Sequence, residues 1–202
     1  MLKYIVGIVA ITSVQSALSN VNSLLPNVRL GQVNHAGPGC PPGSVEVNFG
    51  ANKQALHVTF KQFVVRSGGN TESDRANCTV AVPVQLPEGL QLRPYQYTLK
   101  GVVNFGEDAS GSLIVENFLA GIRGPRIQRF FEEDDRGPFQ VSATSSSLRW
   151  SECGKNAALR TSIGAQIVSE DDDSDGSALI DLREVNGAPA RYVIQLEYRP
   201  CR

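Results

Sequence analysis

Carboxylates are the densest potential chemistry in this sequence. Asp171-Asp172-Asp173-Ser174-Asp175-Gly176 spells D-x-D-x-D-G. Oxygens at alternate positions before a glycine can wrap a hard cation, because Ca²⁺ takes six to eight oxygen ligands and glycine permits the sharp turn. Asp171, Asp173 and Asp175 are therefore the candidate calcium ligands, and calcium is the one cofactor raised. An EF-hand is excluded: its twelfth position falls on Leu182 rather than a bidentate Glu, and no helical pattern flanks the run. The simpler reading is a solvated hairpin turn, for which Asp-Gly is a preferred pair.

A second charged run, Glu132-Glu133-Asp134-Asp135, follows Arg123, Arg126 and Arg129, with Phe130 and Phe131 between. It reads as a solvated, mobile connection between strands. The sharper alternative is a recognition loop with both phenylalanines as exposed anchors. Trp150, the one tryptophan, is either a plug beside Cys153 or a platform for stacking a sugar ring, which requires an exposed indole. Phe130, Phe131 and Trp150 are thus the candidate binding residues. Asp74-Arg75 reads as an ion pair steadying a loop before Cys78. Asn77-Cys78-Thr79 is a formal glycosylation sequon, disfavoured because Cys78 reads as bridged.

No catalytic residue is assigned. The two histidines, His35 and His57, fall in an irregular segment and on the polar side of a strand, and no G-x-S-x-G elbow exists. The chain is read as non-enzymatic. Two alternatives stay open: a small secreted hydrolase acting on polysaccharide through paired carboxylates brought together by the fold, and a calcium-stabilised adhesion module resting on Asp171 to Asp175.

The elements that must position these residues are strands. Val45, Val47 and Phe49 alternate with polar residues, as do Leu56, Val58 and Phe60, then Val80, Val82, Val84 and Leu86. Tyr95, Tyr97, Leu99, Gly101, Val103 and Phe105 share one face of a long candidate strand. Leu159, Thr161, Ile163, Ala165 and Ile167 repeat the pattern, and Tyr192, Ile194, Leu196 and Tyr198 close it. Period two with one apolar face means sheets covered on one side. Two such faces packed together predict an all-β fold: an antiparallel, jelly-roll-like β-sandwich of about eight to ten strands. No helical stripe and no internal repeat is present.

Residues 1–19 have the layout of a signal peptide. Lys3 precedes an apolar run from Tyr4 to Val14, too short to span a ~30 Å hydrocarbon core, and small-residue cleavage triplets end at Ser16 and Ser19. Residues 20–38 read as a flexible spacer, from which Leu24, Leu25 and Leu30 could dock on the domain, and residues 39–202 as the β-sandwich domain. The full chain carries 19 basic and 20 acidic side chains; losing Lys3 leaves a net charge of −2. No single-sign field of the whole molecule recruits nucleic acid, and no second apolar stretch spans a membrane. Four cysteines behind a leader read as two disulfides in an oxidising compartment. Three connectivities are open. Cys40–Cys78 with Cys153–Cys201 is preferred because it staples each half separately.

Several distinctive motifs follow one another along the chain: Gly39-Cys40-Pro41-Pro42-Gly43-Ser44, Phe60-Lys61-Gln62-Phe63-Val64, Ser73-Asp74-Arg75-Ala76-Asn77-Cys78, Leu86-Pro87-Glu88-Gly89-Leu90, Lys100-Gly101, Trp150-Ser151-Glu152-Cys153-Gly154 and Tyr198-Arg199-Pro200-Cys201. As a set they resemble the domain-of-unknown-function family 4360 of small secreted, cysteine-containing proteins, over residues 37–202. The resemblance implies secretion and a cysteine-bearing β domain, and no activity. The resulting expectation is a secreted, structural or binding protein acting in a cell wall, envelope or extracellular matrix, with a wall polymer, glycan or surface protein as partner.

Overall fold

The computed structural model describes residues 21–67, 73–145, 149–169, 177–183 and 190–201. The leader, the Asp171–Asp175 run and its calcium reading lie outside them. Among the described residues, thirteen strands form two antiparallel sheets. In the first sheet, β6 (Ser73–Gln85), β11 (Ala157–Ser169), β8 (Ala109–Leu119) and β9 (Ile122–Phe131) lie side by side, and β1 (Arg29–Leu30) and β2 (Asn34–Ala36) pair with β6. The second sheet runs β3 (Val45–Phe49), β4 (Ala55–Phe60), β13 (Tyr192–Pro200) and β7 (Leu90–Phe105). Along β7, β13 pairs with residues 90–99 and β12 (Ala178–Asp181) with residues 102–105. β10 (Arg136–Thr144) overlaps both of those stretches, so it must occupy β7's opposite edge. β5 (Val64–Ser67) pairs with β12.

The predicted sandwich is therefore present, with more strands than expected because β1, β2, β5 and β12 are short. Leu56, Val58, Leu99 and Ile194 of the second sheet face Val80, Val82, Leu159 and Ile163 of the first across one apolar core. Each buried aliphatic side chain contributes about 1.5–3 kcal/mol. A polar pin crosses this core. The Tyr192 hydroxyl and the Thr161 hydroxyl both donate to Asn117 Oδ1, and Asn117 Nδ2 donates to the Pro125 carbonyl. Every partner is paired, which is what a buried polar group needs to be tolerated.

Three expectations are corrected. Of the expected spacer, residues 21–38 are not loose: Leu25 and Val28 are buried, and β1 and β2 add to β6. Gly37 and Gly39 permit this docking, since a Cβ on either would strike the Asn77 carbonyl or the Phe63 ring. The stretch 121–136 is not a mobile connection: β9 and β10 are joined by a tight turn at Glu132–Asp135, where Asp135 accepts from the Glu132 amide. Its Gly-Pro pair broke the alternation that marks a strand, yet β9 is an edge strand, where proline is admitted. Finally, Tyr95 does not share a face with Tyr97. Gln195 pairs with Gln96 and Leu196 with Pro94, so Tyr95 is the extra residue of a β-bulge. Before it Leu90, Leu92 and Pro94 point inward; after it Tyr97, Leu99 and Val103 do.

Both disulfides have the preferred pairing, Cys40–Cys78 and Cys153–Cys201, with Cα–Cα distances of 5.4 and 5.7 Å. Both distances lie in the range a bridge requires.

Candidate functional site

N-terminal to the bulge, β7 directs Gln91 and Arg93 outward, and these help to seat Trp150. Arg93 on β7 and Arg199 on β13 leave the outer face of the second sheet. Their guanidinium carbons lie 4.8 and 4.3 Å from the centre of the Trp150 ring. Cation–π contact of this kind is worth ~0.5–1 kcal/mol where solvent is present. Each arginine is itself held: Arg93 Nε donates to Glu197 at 2.6 Å, and Arg199 Nε to Gln91 at 3.1 Å. Gln91 Nε2 in turn donates to the Ser151 carbonyl at 2.7 Å. The segment carrying the tryptophan is clamped beside β7 by Ser151, whose amide donates to the Leu92 carbonyl and whose hydroxyl accepts from the Leu92 amide. Cys153–Cys201 and the Gly154 amide on Leu90 complete the clamp.

Held this way, the half-buried indole forms the wall between two clefts. The first, of about 200 Å³, opens at the edge of the sandwich. Tyr97 and Leu119 lie at its base, with Ile122, Arg123, Arg149 and Glu152 around it. Tyr97 is buried, and desolvation raises its phenol far above the usual range, so it stays a neutral donor. Its hydroxyl bonds to no other described residue. Arg149 is exposed and free of any carboxylate among the described residues. The second cleft, of about 460 Å³, is lined by Tyr95, Tyr198 and Leu196 together with Asn22, Gln54 and Glu197. The Tyr198 hydroxyl donates to the Lys53 carbonyl, fixing that ring. Tyr95, extruded by the bulge, is 38% exposed.

Aromatic faces beside planar amide and carboxylate groups are the surfaces that receive a pyranose ring, whose C–H faces are apolar and whose rim is hydroxyls. The carboxylates in reach are already engaged. Glu197 pairs with Arg93, and Glu152 with Lys155 at 2.6 Å, which holds the Glu152 carboxyl below its ordinary value.

The three residues singled out for binding are not brought together. Trp150 sits at the clefts. Phe130 is 62% exposed at the other end of β9, opposite Ser112. Phe131 is no anchor: it is buried, stacked on Phe105 with ring centres 5.5 Å apart and edge-on to Phe139 at 5.2 Å. Neighbours on a strand face opposite ways, so only one of the pair can be exposed. Asp74 accepts from the backbone amides of Arg66 and Arg75 and makes no ion pair with the Arg75 guanidinium. His35 Nδ1 bonds to the Cys40 carbonyl, and His57 lies among β4 neighbours, its basicity lowered by burial and by Arg191. Among the described residues no cluster of three or more His, Cys, Asp or Glu is placed to hold a metal, and no helix is long and apolar enough to cross a membrane. Sequence reasoning missed Arg93, Arg199, Tyr95 and Tyr198. The signal available was the alternation around Arg93 and Arg199; their convergence on Trp150 is a matter of strand pairing.

Comparison with known proteins finds that the family described as "Domain of unknown function (DUF4360)" matches residues 26–201. An uncharacterized secreted protein of Arthroderma benhamiae is 26% identical over 177 residues, 84% of this chain and 70% of the relative. Among solved structures, the enzymatically active domain of bacteriophage CBA120 tailspike protein 4 is 13% identical with a TM-score of 0.32, over 78% of this chain and 19% of that one. TmCBM61 in complex with β-1,4-galactotriose is 13% identical with a TM-score of 0.31, over 86% and 95%. Likeness at that level assigns no function.

Proposed function

The chain belongs to the family described as a domain of unknown function, DUF4360, and on that premise we propose that it is a non-catalytic carbohydrate-binding protein whose recognition centre is Trp150. The protein is secreted and disulfide-bonded, like the secreted relative it matches. The observation that carries the proposal is the indole itself: one ring walls two adjoining clefts and is held rigid by Arg93 and Arg199. Rigid aromatic contact area loses little conformational freedom on binding, which favours recognition. Tyr95 and Tyr198 extend the aromatic surface, and Gln54, Asn22 and the Tyr97 hydroxyl offer donors and acceptors to sugar hydroxyls. The non-catalytic half of the proposal follows from the carboxylates. Glu152 and Glu197 line different clefts, so they do not flank one bound sugar as a carboxylate pair, and each pairs with a cation.

Trp150 is the one tryptophan, so its emission reports the site directly. Titration with neutral oligosaccharides is expected to shift and saturate that emission. Trp150→Phe is expected to weaken binding, detected by calorimetry, and Tyr95→Ala to weaken it less, with far-ultraviolet circular dichroism unchanged in both. Hydrolysis of any oligosaccharide overturns the non-catalytic claim. Absence of binding across the neutral panel overturns the recognition claim.

A further inference from the structure

The outer face of the first sheet carries a charge pattern that the near-neutral whole molecule conceals. Strand register places its outward side chains in rows. Arg160 of β11 lies beside Phe118 of β8, which lies beside Arg123 of β9. In the next row Ser162, Glu116 and Arg126 follow in the same order, and further along Arg75 of β6 precedes Gln166, Ser112 and Phe130. Arg75, Arg123, Arg126 and Arg160 are all exposed. Glu116 is the one carboxylate among the described strand positions of this face, and it engages Arg123 at 3.6 Å. Arg126 and Arg160 have no carboxylate partner among the described residues. Arg160 instead lies 4.1 Å over the Phe118 ring, which holds its guanidinium flat against the sheet.

We infer that this face is a second binding surface, meeting the first Trp150 cleft at Arg123, for a carboxylate-bearing polysaccharide of polyuronate type. Charge complementarity selects the sign of the partner: three net positive charges face outward on strands of a protein that is slightly acidic overall. The planar guanidinium fork matches a carboxylate in bidentate fashion, and all four cations are arginine. The spacing fits a linear polymer. Neighbouring strands stand ~4.8 Å apart and residues on one face repeat every ~6.7 Å, so the arginines form an open band about 20 Å long rather than a pocket. At its far end a shallow cleft of about 320 Å³ offers the Phe130 ring beside Ser112 and Gln166, with Glu132 at its margin. Aromatic carbon beside hydroxyl and amide suits a sugar ring better than a bare polyanion. An acidic peptide seeking backbone pairing finds β11 and β8 paired on both sides, and along the β9 edge Pro125 has no amide to offer it.

Affinity electrophoresis of the intact secreted protein through gels containing polygalacturonate tests this. Retardation is expected at low salt, weakening steeply as salt rises, and none is expected in gels of the fully methyl-esterified polymer. Arg126→Gln with Arg160→Gln is expected to weaken retardation about tenfold, while Trp150→Phe leaves it unchanged. Equal retardation by the methyl ester, or retention undiminished in the double arginine variant, overturns the inference. So does binding confined to poly-glutamate peptide or to anionic phosphatidylserine vesicles. Because the neutral-oligosaccharide titration reads Trp150 and this experiment reads the arginine band, failure of one is separable from failure of the other.

Discussion

The two disulfides close loops of similar length, 38 and 48 residues, yet they sit in opposite surroundings. Cys40 and Cys78 are 1% and 0% exposed, within the apolar core beneath β6. Cys153 is exposed and Cys201 half-buried, at the rim where the Trp150 segment meets the ends of β7 and β13. Loop entropy assigns each bridge about 4 kcal/mol. Any difference between them must therefore come from what surrounds them. The first bridge draws the N-terminal segment onto the sandwich and fills core volume. The second fixes a surface segment whose one large side chain walls both clefts. The same covalent device serves packing at one place and positioning at the other.

The largest expected effect separates these roles. Cys40→Ala with Cys78→Ala should cost about 5–6 kcal/mol in urea unfolding, combining lost loop constraint with a small core cavity. Cys153→Ala with Cys201→Ala should cost about 4 kcal/mol and, unlike the first pair, should alter Trp150 emission and saccharide affinity in the folded state. Equal costs and unaltered emission in both would dissolve the distinction. A smaller effect sharpens the rim side alone. Replacing Arg93 and Arg199 together by Met should cost about 1–2 kcal/mol and increase quenching of Trp150 by iodide, with the core bridge and far-ultraviolet spectrum untouched. The smallest effect is a control on both sides. His57 has its pKa lowered from 6.5 by burial and by Arg191. The unfolded chain thus takes up a proton at a higher pH than the folded one. The stability contributed by the neutral imidazole is complete above about pH 6.5 and declines as pH falls from there through the lower folded value. His57→Gln should flatten that decline. The slope should be the same in wild type and in both disulfide variants, and a slope altered in one variant would mean that its bridge also shapes β4.

The features legible in the sequence were those with local period. β4, β6, β11 and β13 show unbroken alternation in residues such as Leu56, Val58 and Phe60, because each has one face on the core. The sandwich followed from that pattern, and secretion and the preferred disulfide pairing from the leader-like layout of residues 1–19 and the four cysteines. What could not be read is non-local. Arg93 and Arg199 are separated by more than half the chain and meet at Trp150 only through β7–β13 pairing. Phe130 and Phe131 looked equivalent, and only the register of β9 on β8 decides which is buried. The basic band was hidden because its arginines come from three strands and cancel against acids elsewhere. In residues 20–38, two- and three-residue strands are too short to display any period at all.

The extra residue in β7 has a further implication for how the Trp150 site can change. Strand parity is a counting rule: with three residues between them Arg93 and Tyr97 would share a face in a regular strand, and the bulge absorbs one of the three, so that Arg93 stays outward while Tyr97 points inward. Removing Tyr95 would leave a regular strand, with Leu90, Leu92 and Pro94 still inward and Gln91 and Arg93 still outward, and only the extruded ring that lines the second cleft would be lost. Point substitutions tune this surface by degrees. A single-codon deletion at position 95 trims the second cleft and spares the Arg93–Trp150 contact, and by the same arithmetic a single-codon insertion absorbed as a bulge is enough to have added that aromatic wall.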